Sequence, residues 1–172
     1  MLNAKIVGES DVQLEMGKPV FEWNKIPLKE KLDHKNITLD IEGKEFTDGF
    51  SLNVGNPHII FFVEDNEKFE IEKIGPEIET HKLFPERCNV TIATIINQEL
   101  IKVKVWERGA GLTKACGTAA CATAYAAKQA GLTSNKIDIE FSTGRLTISI
   151  DENNSIHMKG PVSDIKEINI EI

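Results

Sequence analysis

The sequence predicts an α/β fold of the α+β type: a curved, barrel-like, mostly antiparallel sheet wrapped around a central buried helix. Three observations carry that expectation. Short runs of β-branched and aromatic residues recur along most of the chain and are separated by turn-forming residues. Residues 117–130 are helical in composition yet carry small, nearly uncharged side chains on every side, where a surface helix would show one polar face. Apart from that stretch, one segment alone reads as helical.

In chain order, the strand-like runs fall at residues 5–7, 12–15, 37–41, 50–54, 58–63, 89–96, 100–106, 137–142, 146–150 and 155–159. Asn97-Gln98, Thr143-Gly144 and Asn153-Asn154 have the chemistry of hairpin connections. Residues 67–81 form an amphipathic helical pattern that Gly75-Pro76 is expected to break in two. The second helix should end at Gly131, a C-cap glycine. Its alanines allow strands to approach closely from all directions, which places it in the middle of the sheet. Neither a repeat nor a linker divides the chain, so a single domain over residues 1–172 is expected.

Composition narrows the class of ligand. The chain has 172 residues, 41% hydrophobic and 27% charged, as in an ordinary globular protein. A net charge of -7 disfavours nucleic acid and anionic membrane surfaces, which leaves a small molecule as the expected partner. With no membrane-length apolar run and no signal-like start, the expected location is the cytoplasm. The three cysteines, Cys88, Cys116 and Cys121, are too few for a disulfide framework and read as free thiols.

The stretch WERGAGLTKACGTAAC, residues 106–121, concentrates the chemistry. Cys116 stands where the second helix opens, beside unpaired N–H groups and the positive end of the helix dipole. A helix N-terminus lowers a thiol from its free value near ~8.5 toward neutrality, so a reactive thiolate is expected. The N–H groups of Gly117 and Thr118 can also hold a carboxylate. Glu107 suits an ammonium and Arg108 a carboxylate, so the set fits an amino acid.

Plainer readings compete with these. A cysteine at a helix start can be structural, but the adjoining Glu-Arg-Gly and Cys-Gly-Thr elements favour a reactive one. Cys121 lies five residues on, about 140° around the helix from Cys116, and reads as core packing. Cys88 reads as a small buried hydrophobe. The Cys116–Cys121 spacing fits no usual zinc pattern, so no metal is expected. Residues 54–58, Val-Gly-Asn-Pro-His, are either a plain turn or a ligand-facing loop in which Asn56 and His58 take part and His58 adjusts a nearby thiol.

Four ordered motifs together resemble the second half of diaminopimelate epimerase: Gly55-Asn56-Pro57-His58, residues 84–90 (FPERCNV), residues 107–111 (ERGAG) and residues 115–121 (ACGTAAC). Residues 11–19 (DVQLEMGKP), Ile26-Pro27-Leu28 and Gly160-Pro161 agree as well, so the resemblance spans nearly the whole chain. It implies two pseudo-symmetric halves, each a curved sheet around a central helix, and a cofactor-independent isomerase interconverting LL- and meso-2,6-diaminopimelate for lysine and peptidoglycan synthesis. It further implies that Cys116 is one of two catalytic cysteines, that Asn56, Asn89, Glu107, Arg108, Gly117 and Thr118 bind substrate, and that His58 and Glu107 tune thiol protonation.

The sequence departs from the family pattern in places. Leu112-Thr113 stands for the usual Glu-Thr, and Ala119 for the second glycine of Cys-Gly-Thr-Gly. The family's Gly-Asn-Gly-x-Arg-Cys segment, which carries the first catalytic cysteine, does not occur in the sequence. The expectation is a chain that supplies one catalytic cysteine and is inactive alone, completed by a separate N-terminal half or by self-association. The chain is then a fragment, a truncated product or a degenerate paralogue. From other classes come a cysteine hydrolase using Cys116 and His58, and a non-catalytic amino-acid-binding half-module.

Overall fold

Alternating apolar runs closed by Gly, Asn and Asp build the strands, and one run of alanines builds the helix they enclose. The computed structural model describes residues 3–162; the ends of the expected 1–172 domain lie outside them. The strands are β1 (Ala4–Ile6), β2 (Asp11–Gly17), β3 (Ile37–Ile41), β4 (Lys44–Asn53), β5 (Pro57–Phe62), β6 (Asn89–Asn97), β7 (Leu100–Glu107), β8 (Gly111–Thr113), β9 (Lys136–Phe141), β10 (Gly144–Ile150) and β11 (Ile156–Pro161). The helices are α1 (Ile71–Glu79) and α2 (Gly117–Gln129).

The strands form one sheet in the order β1-β2-β11-β10-β9-β7-β6-β5-β4-β3, with β8 paired to β7. Only β5–β6 and β7–β9 pair in parallel among the described strands. Both parallel pairs need a crossover: α1 lies in the first connection and α2 in the second. Curvature stops short of closure, leaving β1 and β3 as the edges.

The two sides of the sheet hold two cores. On one side α2 packs against strands from β4 to β11, and its alanines meet Leu52, Ile60, Ala93, Val103, Val105, Ile139 and Ile148. Residues 119–127 of α2 are all buried, as a helix of small side chains inside a sheet requires. On the other side α1 presents Ile71 and Ile78 to Ile59, Phe61, Val90 and Ile92. Period-two alternation sends neighbouring residues to opposite cores, as Ile59 and Ile60 show.

Most predicted strands lie within a few residues of where they form, and the three hairpin connections are present. β8 was not expected from the sequence, and β4 begins six residues earlier than the expected start at residue 50, through a tight turn at Glu42-Gly43. The break in the first helical segment is also displaced. A single 3-10 turn (Asn66–Lys68) is followed by extended Phe69, and α1 then runs unbroken through Pro76. Packing overrides the proline's preference. Gly75 allows Trp106 of β7 to press on the helix so closely that a Cβ there would meet Trp106 Cγ at 2.6 Å.

That contact yields a test. Gly75→Ala should destabilise the chain by about 1–3 kcal/mol through overpacking, although alanine is the better helix former. A urea midpoint equal to or above that of the parent would show that the α1–β7 contact is loose.

Candidate active site

The ends of three strands and one helix meet at one end of the sheet. β5 and β6 are parallel, with His58 beside Asn89, so both begin at that end. β7 runs antiparallel to β6 and finishes there at Glu107. By strand alternation His58, Asn89 and Glu107 share the face of Ile60, Ala93 and Val105, which is the face that packs on α2. The sequence-predicted residues therefore converge, although they come from four elements.

Cys116 is the N-cap of α2, with extended backbone and 7% exposure. Its Sγ accepts from the Ala119 amide at 3.4 Å and lies 3.4 Å from Thr118 Oγ1. The Ala120 amide is taken by the Cys116 carbonyl at 3.0 Å. The amides of Gly117 and Thr118 come before any helical acceptor, which leaves them available to an anion. Gly117 packs tightly against β11: a Cβ there would sit 3.0 Å from Met158 Sδ, so the methionine would have to give way.

The expected lowering of the thiol is not what the structure gives. Burial pushes Cys116 above the ordinary thiol value, and Glu107 adds to this both by charge and as a hydrogen-bond acceptor. The Thr118 hydroxyl and the Ala119 amide pull the other way and do not prevail. The site as it stands holds a protonated thiol. Cys121 and Cys88 are fully buried; burial raises Cys121 to about 12 and Cys88 well above its ordinary value.

A chain of hydrogen bonds connects His58 to the thiol. Asn56 Nδ2 donates to Thr118 Oγ1 at 3.3 Å, and its Oδ1 faces His58. His58 Nε2 lies 2.8 Å from that oxygen and donates to it in the tautomer protonated at Nε2. Burial, with a contribution from the Arg108 charge, lowers His58 to about 3 and keeps it neutral. Its Nδ1 is buried without a partner among the described residues. His58 is thus connected to Cys116 through Asn56 and Thr118.

Asn89 is 2% exposed and braces the site: Nδ2 donates to the Pro57 carbonyl at 2.8 Å, and Oδ1 accepts from the Arg108 amide at 3.0 Å. Arg108 is exposed, with Nη1 donating to the Glu86 carbonyl at 3.2 Å. Sequence reasoning missed Glu79, which ends α1 and accepts from the Gly109 amide at 2.9 Å and from Trp106 Nε1 at 2.7 Å. A signal for it existed. Residues 71, 75, 78 and 79 make the buried stripe of α1, and Glu79 is the charged member of that stripe.

Among the described residues, no group of three or more His, Cys, Asp or Glu side chains is arranged to hold a metal ion. No helix among them is long and apolar enough to cross a membrane.

Comparison with known proteins bears on the family and the fold. The family model described as diaminopimelate epimerase matches residues 50–165. A diaminopimelate epimerase of Pelagibacter ubique (strain HTCC1062) is 60% identical over 174 aligned positions, covering 99% of this chain and 64% of that protein. One from Erythrobacter litoralis (strain HTCC2594) is 44% identical over 152 positions, covering 88% of this chain and 56% of that protein. The chain therefore spans less than two thirds of either relative. In fold it is similar to a hydroxyproline epimerase from Agrobacterium vitis, with a TM-score of 0.61 at 13% identity over 93% of this chain and 53% of that one.

Two outcomes follow from the thiol and the imidazole. Mass-spectrometric mapping of iodoacetamide labelling should find Cys116 modified before Cys88 and Cys121, which are fully buried. Its pH midpoint should lie above that of a cysteine peptide, and Thr118→Val should move it further up by removing a bond that favours the thiolate. A midpoint below the peptide's would contradict the burial argument. For His58, the unfolded chain takes up a proton near 6.5 that the folded chain refuses until about 3. Stability is then fully present above 6.5 and is lost as the pH falls toward 3. Thermal unfolding of His58→Gln should show a shallower loss over this window; equal slopes would show that the imidazole is not held neutral.

Proposed function

The chain belongs to the diaminopimelate epimerase family, and from that premise we propose that it carries one acid/base of a cofactor-independent epimerase interconverting LL- and meso-2,6-diaminopimelate. The observation that supports this most is the placement of the Cys116 thiol at the N-cap of α2, beside the Gly117 and Thr118 amides and next to Glu107. The amides would hold the substrate α-carboxylate. Removing the α-proton sends an electron pair toward that carboxylate, and fixed N–H donors stabilise the charge as it develops.

Inversion requires a donor on one face of the α-carbon and an acceptor on the other. Cys116, protonated in the free site, is the donor in one direction, and its thiolate is the acceptor in the reverse. Glu107 favours the protonated form, so it readies the thiol for donation. Arg108, tethered through Nη1 to the Glu86 carbonyl, is exposed at the mouth of the site and suits a carboxylate.

The second acid/base belongs to a partner surface. Cys88 and Cys121 are fully buried with raised thiols, so neither suits the opposite face of a substrate at Cys116. We assign that role to an N-terminal half carrying its own cysteine, with a second copy of this chain as the alternative. A cysteine hydrolase reading is weakened because His58 reaches Cys116 only through Asn56 and Thr118. A base that activates a nucleophile needs direct contact with it.

The test combines this chain with the portion of the Pelagibacter ubique relative that it does not span. Conversion of LL-diaminopimelate and exchange of its α-hydrogen with solvent deuterium are then measured. The chain alone should be silent, the combination active, and the combination with Cys116→Ala silent again. Full turnover by the chain alone would overturn the need for a second half, whereas activity surviving Cys116→Ala would remove the thiol from the mechanism. A covalent acyl adduct would indicate a hydrolase, and binding without exchange a non-catalytic module. In the active combination, Arg108→Lys should raise KM roughly 10- to 100-fold, because a point charge replaces a planar fork; unchanged kinetics would exclude Arg108 as a carboxylate ligand.

A further inference from the structure

The turn carrying Glu107 and Arg108 is gripped at two successive amides by side chains from two other elements. Asn89 of β6 takes the Arg108 amide at 3.0 Å, and Glu79 of α1 takes the Gly109 amide at 2.9 Å. Gly109 has φ +75, a conformation that glycine adopts without strain, so its amide has a defined direction. The same carboxylate accepts from Trp106 Nε1 at 2.7 Å and lies 3.5 Å from Arg87 Nη1.

Glu79 is 5% exposed and belongs to the helix on the side of the sheet opposite α2. The close Gly75–Trp106 contact draws α1 near enough for its last turn to reach past the end of β7. We propose that Glu79 is a positioning residue which, from behind the sheet, sets the β7–β8 turn so that Glu107 faces the N-terminus of α2. The proposal rests on the reading of Cys116 and Glu107 given above.

The chemistry of the contact calls for a carboxylate. Its neighbours are three donors, the Trp106 indole, the Gly109 amide and the Arg87 guanidinium, and a carboxylate offers only acceptors. Glutamine would turn an NH2 toward one of those donors, leaving a buried mismatch with little change of shape. Replacement by glutamine should therefore release the turn without emptying the core.

The readout is the thiol, because Glu107 acts on it directly. The titratable groups beside Cys116 are Glu107 from β7 and Cys121 from α2; beyond Thr118 and Asn56 lies His58 from β5, on which the Arg108 charge acts. His58 at about 3 and Cys121 at about 12 stay in one form through the neutral to mildly alkaline range. Displacements in that range therefore report Glu107 and the turn.

The experiment follows iodoacetamide labelling of Cys116 against pH, read by peptide mass, in the full chain and in Glu107→Gln, Glu79→Gln and the double variant. Glu107→Gln should move the midpoint down, since it removes an acceptor and a charge that favour the protonated thiol. Glu79→Gln should move it in the same direction over most of that distance, and the double variant should match Glu107→Gln alone. If Glu79→Gln does not fold, Glu79→Asp serves instead: it keeps the charge but withdraws the carboxylate by one methylene, and a partial displacement is expected. A variant of Glu79 that lowers the urea midpoint yet leaves the labelling profile at the parent position would overturn the proposal, as would strictly additive displacements. A silent Glu107→Gln would instead remove the proposed role of Glu107, and the positioning role with it. Which single variant is silent tells the two failures apart.

Discussion

Everything in this structure depends on enclosing a helix that has no polar face. α2 presents buried residues at every position from 119 to 127, so water must be excluded all round it. Only a sheet that curves can do that. The alanines make the curvature possible, because strands from β4 to β11 approach the helix axis without meeting long side chains. The cost is that the helix has almost no freedom to shift or rotate. Whatever sits at its first turn is fixed in position by the whole core.

That rigidity explains how residues far apart in sequence make one site. Strand direction brings the start of β5, the start of β6 and the end of β7 to the first turn of α2. Two opposing influences then meet at the thiol. Amide and hydroxyl donors favour negative charge on sulfur, while burial and the Glu107 carboxylate favour the proton, and the second pair prevails. A bound carboxylate would engage the two open amides, and a bound ammonium would offset Glu107, so the balance at sulfur is open to change when a ligand arrives.

Much of this was legible in the sequence, for physical reasons that can be named. The alanine run announced its burial because no other environment suits a helix without a polar stripe, and Gly131, with φ +72, ends it where expected. The motifs that carry the family resemblance point to residues 56, 58, 89, 107, 108 and 116–118; in the structure Asn56, His58, Thr118 and Glu107 connect to Cys116, and Asn89 ties down the Arg108 amide. Other features depend on contacts that no local pattern encodes. The helix survives Pro76 because Trp106 packs against Gly75, thirty-one positions earlier in the chain. The direction of the shift at Cys116 depends on how deeply the sheet buries the sulfur, and the helix-terminus argument alone gives the opposite sign. Glu79 had a sequence signal, but its partners Trp106 and Gly109 are brought to it by β7 and its turn.

The first turn of α2 divides one helix into two populations of backbone protons. Amides from Ala120 to Ala127 are tied to carbonyls inside the core, so they trade with solvent deuterium only when the sheet opens around the helix. The Gly117 and Thr118 amides have no carbonyl ahead of them and trade without any opening. Occupancy of the site is therefore written into the isotope content of two peptide groups. An anion that settles there slows those two alone, while their neighbours in the same helix keep the pace of global unfolding.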